Sequence, residues 1–416
     1  NDTQLDVDLY NQLDVYRSFI EPKMGKRKQL IMSSALSIFM SLSSEFSGCE
    51  KKQCLVTTNK QQQINLNFTD NELSASHGLV IGSTGSGKSF FMNWLVNQIS
   101  NNENINVVII DIGGSYQRLC KKAGGTYLKV EIDTKFSINI FPDKNTIFDN
   151  NKINKDQLVI LTQIIKLFVN DYKFSAADEH IIQKTIIKLY NTNQTPLLFD
   201  FCELLIEENE EEEDEKIKFK HYLAKQIQLF CDDECGYGEI FSSANTLDLN
   251  NKFIVFDITN LDQHPRLASI YMQTISNLVR VRMHAQTHPQ IVIRDECWKL
   301  LKDDSNAQII EEEYRTARKY KTTLFSISQT IDDFISDSPV IEAIRKQSYI
   351  KFVLPISGKD TDKLEVFGLN KNEIRTCENL ELIKNKYSQI FTKWGNDNSF
   401  VIHLEPTKEE IEVCAR

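Results

Sequence analysis

Long apolar runs are missing from this sequence. The most apolar early stretch, residues 30–46, is interrupted by serines and Glu45 and is too polar for a membrane-spanning helix. No signal peptide opens the chain. A basic excess is missing too: the formal net charge is −10. Proteins whose main task is to grip nucleic acid usually carry a basic balance. The DNA-binding reading is therefore disfavoured, although a local basic groove can hide inside an acidic total. A disulfide framework is absent: nine cysteines are scattered without regular spacing, and an odd, irregular set argues for reduced thiols in a cytosolic protein. Cys231 and Cys235 lie four apart, but no second pair follows at zinc-site spacing. There is no internal repeat. The chain opens on Asn1 rather than Met, so we expect a fragment whose N-terminal domain is missing.

What is present is an α/β pattern spread over 416 residues, enough for two or three domains. Residues 1 to about 55 read as helical. Ile64, Leu66 and Phe68 alternate with polar residues at the period of a half-buried strand. A turn-like Asp70-Asn71 follows, and then Gly78-Leu79-Val80-Ile81, a buried strand entering a glycine loop. Phe91, Leu95 and Ile99 fall at helical spacing, and Val107 to Asp111 is a continuous apolar run closed by Gly113-Gly114. Strand, loop, helix, strand is the βαβ unit of a parallel sheet. Residues 127–132 and 137–141 read as short strands. Residues 152–235 instead place Leu158, Leu161, Ile164, Ile165 and Phe168 on one helical face. Helix starts are expected at Ser175, three before Asp178, and at Thr195 before Pro196. The acidic block of residues 207–215 reads as a solvated segment, the alternative being an interaction segment. Strands resume at 253–257, 291–293, 323–329, 349–356 and 399–404, with helices at 267–283 and 306–320. The expected division is a helical segment 1–60, a first sheet part 61–150, an all-helical insertion 151–237 and a second sheet part 238–416.

The chemistry concentrates at Gly82-Ser83-Thr84-Gly85-Ser86-Gly87-Lys88-Ser89, which matches the full P-loop pattern between a strand and a helix. Glycines let the backbone curl so that several N–H groups face one anion, and the helix start adds its positive dipole end. These eight residues, with Phe90, are expected to hold ATP. Lys88 should reach the β- and γ-phosphates and Ser89 should ligate Mg²⁺. Asp295-Glu296 closes the run Ile291-Val292-Ile293-Arg294; we expect that strand to adjoin the P-loop strand. Asp295 is the expected holder of Mg²⁺, and Glu296 the group that polarises the attacking water. Arg294 interrupts the apolar run, either leaning toward a neighbouring subunit or marking where the strand leaves the core. Asp111 either joins the magnesium network or merely shapes the turn before Gly113-Gly114. Gln329 ends a later strand at the same edge and can sense the γ-phosphate. Arg315, Arg318 and Arg345 are candidates for an arginine supplied across a subunit boundary, each with a surface salt bridge as the alternative.

Gly82 to Met92, Ile110 to Tyr116, Asp295-Glu296-Cys297-Trp298-Lys299-Leu300-Leu301, Ala317-Arg318-Lys319-Tyr320 and Ser328-Gln329-Thr330 together resemble the type IV secretion-system ATPases of the TraC class. The likeness runs from about residue 60 to 405. It implies a RecA-like motor domain taking ATP and Mg²⁺, working as a hexamer or lower oligomer. It also implies a cytoplasmic location, docked on inner-membrane components of a secretion channel. Two departures stand out: Asn139-Ile140-Phe141-Pro142 where the family often shows Asn-Pro-Phe, and Arg294 where an apolar or small residue is expected. A DNA-translocating motor and a nucleotide-gated scaffold are the competing readings.

Overall fold

The computed structural model describes residues 46–69, 77–102, 104–130, 138–149, 152–169, 172–207, 214–232, 238–241, 251–285, 288–296, 304–356, 358, 360–384 and 386–415. The N-terminal segment up to residue 45, Asp70-Asn71, most of the acidic block, Cys235 and Cys297-Trp298 lie outside them.

A hairpin comes first, β1 (Cys54–Thr57) and β2 (Gln63–Leu66) paired antiparallel. Cys54 to Thr57 was expected to be helical. Its alternating burial, with Cys54 and Val56 inward, is the period-2 pattern of a strand. The P-loop unit follows as β3 (Gly78–Ile81), α1 (Lys88–Ser100) and β4 (Asn106–Asp111), and then α2 (Gln117–Lys122) and β5 (Thr126–Lys129). The expected strand at 137–141 does not form. Asn139 Oδ1 accepts the Phe141 N–H, and Asn139 Nδ2 reaches the Pro196 carbonyl. That side chain competes for the backbone and makes a turn.

A small ladder, β6 (Phe148–Asp149) with β7 (Lys152–Ile153), leads into four helices: α3 (Lys155–Leu167), α4 (Ala176–Thr192), α5 (Leu198–Ile206) and α6 (Asp214–Gln228). The expected apolar face of α3 is buried throughout. Ser175 and Asp178 form the expected reciprocal cap of α4. Thr195 does not cap α5. The Leu197 N–H is held instead by Asp200, so the helix begins two residues later than Pro196 suggests. Phe168, Phe230, Phe241 and Tyr271 stack edge-on or tilted at 5.0–6.3 Å and join these helices to the core beneath the sheet.

The remaining chain alternates β8 (Phe253–Asp257), α7 (Pro265–Ala285), β9 (Gln290–Arg294), α8 (Asp304–Thr316), β10 (Thr322–Ser328), α9 (Pro339–Gln347) and β11 (Ile350–Val353). It ends with α10 (Lys371–Glu378), β12 (Leu382–Ile383), β13 (Tyr387–Trp394), β14 (Asn398–Leu404) and α11 (Lys408–Cys414). The sheet has ten strands in the order β12-β13-β11-β3-β10-β9-β4-β8-β5, with β14 on β13. From β11 to β5 all pairings are parallel; β13 pairs antiparallel with β11, β12 and β14. Every residue of β3, β4, β8, β9 and β10 is buried, as a parallel sheet covered on both faces requires. One expectation fails: β9 does not adjoin β3. β10 lies between them, so the acids approach the P-loop from two strands away.

Candidate nucleotide-binding site

Parallel pairing brings the carboxyl ends of β3, β10, β9 and β4 to one edge, where open α/β sheets hold ligands. Gly82 follows Ile81, Gln329 follows Ser328, Asp295 and Glu296 follow Arg294, and Asp111 ends β4. Register keeps them level: Ile81 faces Ser328, Arg294 faces Ser326 on one side and Ile110 on the other.

The loop itself is a backbone cradle. Gly85 and Gly87 have φ of 81° and 92°, the left-handed region that glycine enters without strain, and Gly87 caps α1. A Cβ at Gly82 would come within 2.6 Å of Ser86 Oγ and 2.9 Å of Leu354 Cβ, so the loop closes too tightly for any side chain there. Ser83 is an anchor: its hydroxyl and N–H both bond the Pro355 carbonyl beyond β11. Lys88 is buried, and its ammonium bonds the carbonyls of Gly82 at 2.7 Å and Ser83 at 3.1 Å. Burial lowers its pKa, while the charges of Glu296 and Asp295 act in the opposite sense. An ammonium folded over its own loop, facing two carboxylates, is a cation stored where phosphate charge would arrive.

A three-residue chain of hydrogen bonds links loop to acids. Thr84 Oγ1 donates to Gln329 Oε1 at 2.6 Å, and Gln329 Nε2 donates to Glu296 Oε1. Glu296 has φ of 53°, a conformation a non-glycine residue holds only when its surroundings impose it, and one that clusters at functional sites. Its N–H bonds Asp295 Oδ1 at 3.0 Å. Asp295 is 5% exposed, and its N–H bonds the Ile110 carbonyl.

Asp111 takes the turn role and keeps a spare oxygen. Its Oδ2 accepts the N–H groups of Ser115 and Tyr116, while the buried Oδ1 has no protein partner. Burial first, and then the charges of Asp295 and Asp257, push its carboxyl up to about 7. Asn93 Nδ2 braces the same turn by bonding the Ser89 and Ser115 carbonyls.

These residues fit a magnesium nucleotide. Ser86 Oγ is buried without a protein partner inside the loop, the backbone cradle is open at Gly85 and Gly87, and a hydroxyl (Ser89) and a carboxylate (Asp295) flank it. Among the described residues no three His, Cys, Asp or Glu side chains converge as a metal cage. Magnesium in phosphate sites takes one or two protein ligands and the phosphates themselves, so such a cage is not required.

Arg294 overturns both sequence readings of it. It neither faces outward nor marks an exit from the core: it is 0% exposed and pairs with Glu313 of α8. A signal was present. Ile310, Glu313, Tyr314 and Ala317 recur at helical spacing and all are buried, and a charge inside a buried strand demands a counter-charge. Tyr314 extends the contact, its ring 5.2 Å from His77 and its hydroxyl 2.7 Å from Ser326 Oγ.

The candidate arginines lie elsewhere. Arg315, on the last turn of α8, pairs with Glu311. Arg318 follows it, exposed, and acts on His77 at the start of β3. Arg345, near the end of α9, reaches the Phe334 carbonyl. Arg315 and Arg318 come just before the amino-terminal end of β10, the end opposite the P-loop edge, whereas Arg345 bonds the segment that follows the carboxyl end of β10.

A family model described as the TraG P-loop domain matches residues 59–415. TraC of Escherichia coli (strain K12) is 25% identical over 294 residues, covering 68% of this chain and 33% of TraC. The chain spans between 31% and 42% of the length of the curated relatives it matches. Among solved structures, VirB4 of Thermoanaerobacter pseudethanolicus superposes with a TM-score of 0.66 at 17% identity, covering 88% of this chain and 100% of that one. The plasmid coupling protein TrwB in complex with ADP and Mg²⁺ gives a TM-score of 0.53 at 14% identity, covering 86% and 91%. At those identities the two structures attest the fold alone. The resemblance to secretion ATPases of the TraC class is borne out, and the chain belongs to the TraG P-loop domain family.

Proposed function

We propose that this chain is the motor domain of an ATPase that energises a type IV secretion or conjugation apparatus. The observation that carries the reading is the Thr84–Gln329–Glu296 relay joining the phosphate loop to the acidic pair. In this reading the loop N–H groups and the start of α1 hold the triphosphate. Lys88 leaves the Gly82 and Ser83 carbonyls for phosphate oxygens. Glu296 orients the attacking water and takes its proton. Gln329, touching both the loop and Glu296, couples that step to the state of the γ-phosphate. Magnesium, held by Ser89 and Asp295, would supply charge neutralisation at the phosphates. The second cation comes from Arg315, Arg318 or Arg345 of an adjacent copy.

The wider proposal is a hexamer or lower oligomer docked on inner-membrane components of a channel, on the cytoplasmic side. Supporting it are TraC and CagE of Helicobacter pylori, the latter named a type IV secretion system protein. No helix among the described residues is long and apolar enough to cross a membrane. Phosphate release from ATP, measured with and without DNA at two salt concentrations, tests the reading. Turnover independent of DNA supports an apparatus motor; stimulation that collapses with salt points to a DNA-translocating motor instead. No turnover, with Mg²⁺ present, contradicts both.

A further inference from the structure

Gln329 spans Thr84 and Glu296 from a position where the sheet no longer holds its backbone. On the β3 side the last paired residue of β10 is Ser328, facing Ile81; on the β9 side it is Ser326, facing Arg294. Gln329 therefore lies just past both ladders. Beyond a ladder, local side-chain bonds to the backbone decide which way the chain turns. Ser328 supplies them here. It is 0% exposed, and its Oγ accepts the Thr330 N–H at 3.3 Å. That bond brackets Gln329 in a turn of the kind serine hydroxyls form with the backbone two residues on. The same hydroxyl donates to Asp333 Oδ2.

Giving its hydrogen to Asp333 settles the direction of that hydroxyl. A serine hydroxyl has one hydrogen and rotates to suit its partners; a carboxylate in this place takes the hydrogen and leaves the lone pairs for Thr330. Asp333 is itself anchored. It lies in a 3-10 turn, Asp332–Phe334, between the buried side chains of Ile331 and Phe334. The Phe334 N–H bonds the Ile331 carbonyl at 3.0 Å, and the Phe334 carbonyl accepts from Arg345 of α9 at 3.4 Å. The adjacent Asp332 is engaged elsewhere, pairing with Lys363 at the surface at 2.8 Å. Of the two neighbouring acids, Asp333 is the one that bonds the turn carrying Gln329.

We propose that Asp333 is a positioning residue for ATP hydrolysis: through Ser328 it holds the turn from which the Gln329 amide reaches Thr84 and Glu296 together. The inference rests on the reading of Gln329 as the link between the phosphate loop and Glu296, and adds what aims it. Asp333 acts at two removes, with Ser328 and Gln329 between it and Glu296. A displacement of about 1 Å in a positioned group can cost about 10²-fold in rate. Loss of Asp333 therefore slows turnover while the loop that takes the phosphates keeps its shape.

Steady-state phosphate release and calorimetry with Mg²⁺ and ATP, both on the whole chain, test this. Asp333→Ala should lower kcat by about tenfold, a part of what misplacement can cost, with ATP affinity unchanged. Ser328→Ala cuts the same bond from the other side with little change of volume. It should behave alike, and it decides the matter if Asp333→Ala does not fold. Asp333→Asn should recover most of the rate, because an amide oxygen still accepts the Ser328 hydroxyl. Asp332→Ala should keep the wild-type kcat. The deciding readout is the cycle with Gln329→Ala: once Gln329 is gone, removing Asp333 as well should cost no further rate. A merely structural role would lower the rate by the same factor in both backgrounds. Full turnover in Asp333→Ala, no recovery in Asp333→Asn, an equal loss from Asp332→Ala, a matching loss of ATP affinity, or an undiminished effect in the Gln329→Ala background each overturns this inference and leaves the site reading intact. Wild-type turnover in Gln329→Ala overturns the reading of Gln329, and this inference with it.

Discussion

Removing the charge of Arg294 and removing the charge of Glu313 should have unequal costs, and removing both should cost little. The two side chains are 0% and 2% exposed. Breaking a buried pair by deleting one partner typically costs about 3–5 kcal/mol, because the other charge stays buried and uncompensated. The remaining charges differ, however. With Arg294→Met, Glu313 can escape by taking a proton. Burial already raises its pKa, and Arg294 only partly restores the ionised form. With Glu313→Gln, the guanidinium cannot shed its proton. We therefore expect Arg294→Met to cost about 3 kcal/mol and Glu313→Gln about 4–5 kcal/mol, at the two ends of that range. The double variant Arg294→Met/Glu313→Leu should lie within about 1 kcal/mol of wild type, since a well-packed apolar pair avoids the desolvation cost. Guanidinium unfolding of these four proteins, with Glu313→Leu as a fifth to close the double-mutant cycle, measures the costs. Single substitutions that each cost under 1 kcal/mol, or a double variant that loses the sum of the two singles, would refute the buried-pair account.

Three further outcomes follow from the geometry. Gln329→Ala cuts the bond between Thr84 and Glu296 while leaving Lys88 and the glycines intact. ATP hydrolysis should fall by about 10²-fold, the low end for losing a positioned group in acid–base chemistry, with ATP affinity nearly unchanged; an equal fall in affinity would argue against coupling. Burial, with Lys393 adding to it, lowers the Lys351 ammonium to about 8. Below that pH the folded and unfolded chains are both charged there and the full burial cost is present. From pH 8 up to the ordinary lysine value the folded chain releases its proton first, so stability rises with pH. Lys351→Met should therefore add about 1–3 kcal/mol at pH 7 and flatten that rise in thermal unfolding; a loss of stability at pH 7 would contradict it. Arg318→Ala mixed with wild-type chains should depress activity more than in proportion to its share, whereas strictly proportional loss argues against an arginine acting in trans.

Much of this architecture was legible locally. Continuous runs such as Val107 to Asp111 and Phe253 to Asp257 announce strands covered on both faces, and the P-loop pattern needs only its strand and helix for confirmation. Gln329 and Asp295-Glu296 were legible because polar residues at the ends of such strands share one edge. What escaped was non-local. Nothing in the local pattern says that β10 inserts between β3 and β9. Arg294 was misread because its partner, Glu313, lies 19 residues further along the chain, on α8. The run Tyr387 to Trp394 was missed entirely: it carries Gln389, Thr392 and Lys393 among its apolar residues, and the buried Lys393 is accommodated because it meets Glu373 of α10 at 2.8 Å.

The central claim is that the loop beside β3 and the acids beyond β9 form one hydrolytic site. Calorimetry with Mg²⁺ and ATP, paired with phosphate release, tests it on three proteins. The account predicts that the wild-type chain binds and turns over ATP, that Glu296→Gln binds it as tightly but turns over at least 10²-fold more slowly, and that Lys88→Ala shows no turnover. Undiminished hydrolysis by either variant would contradict it.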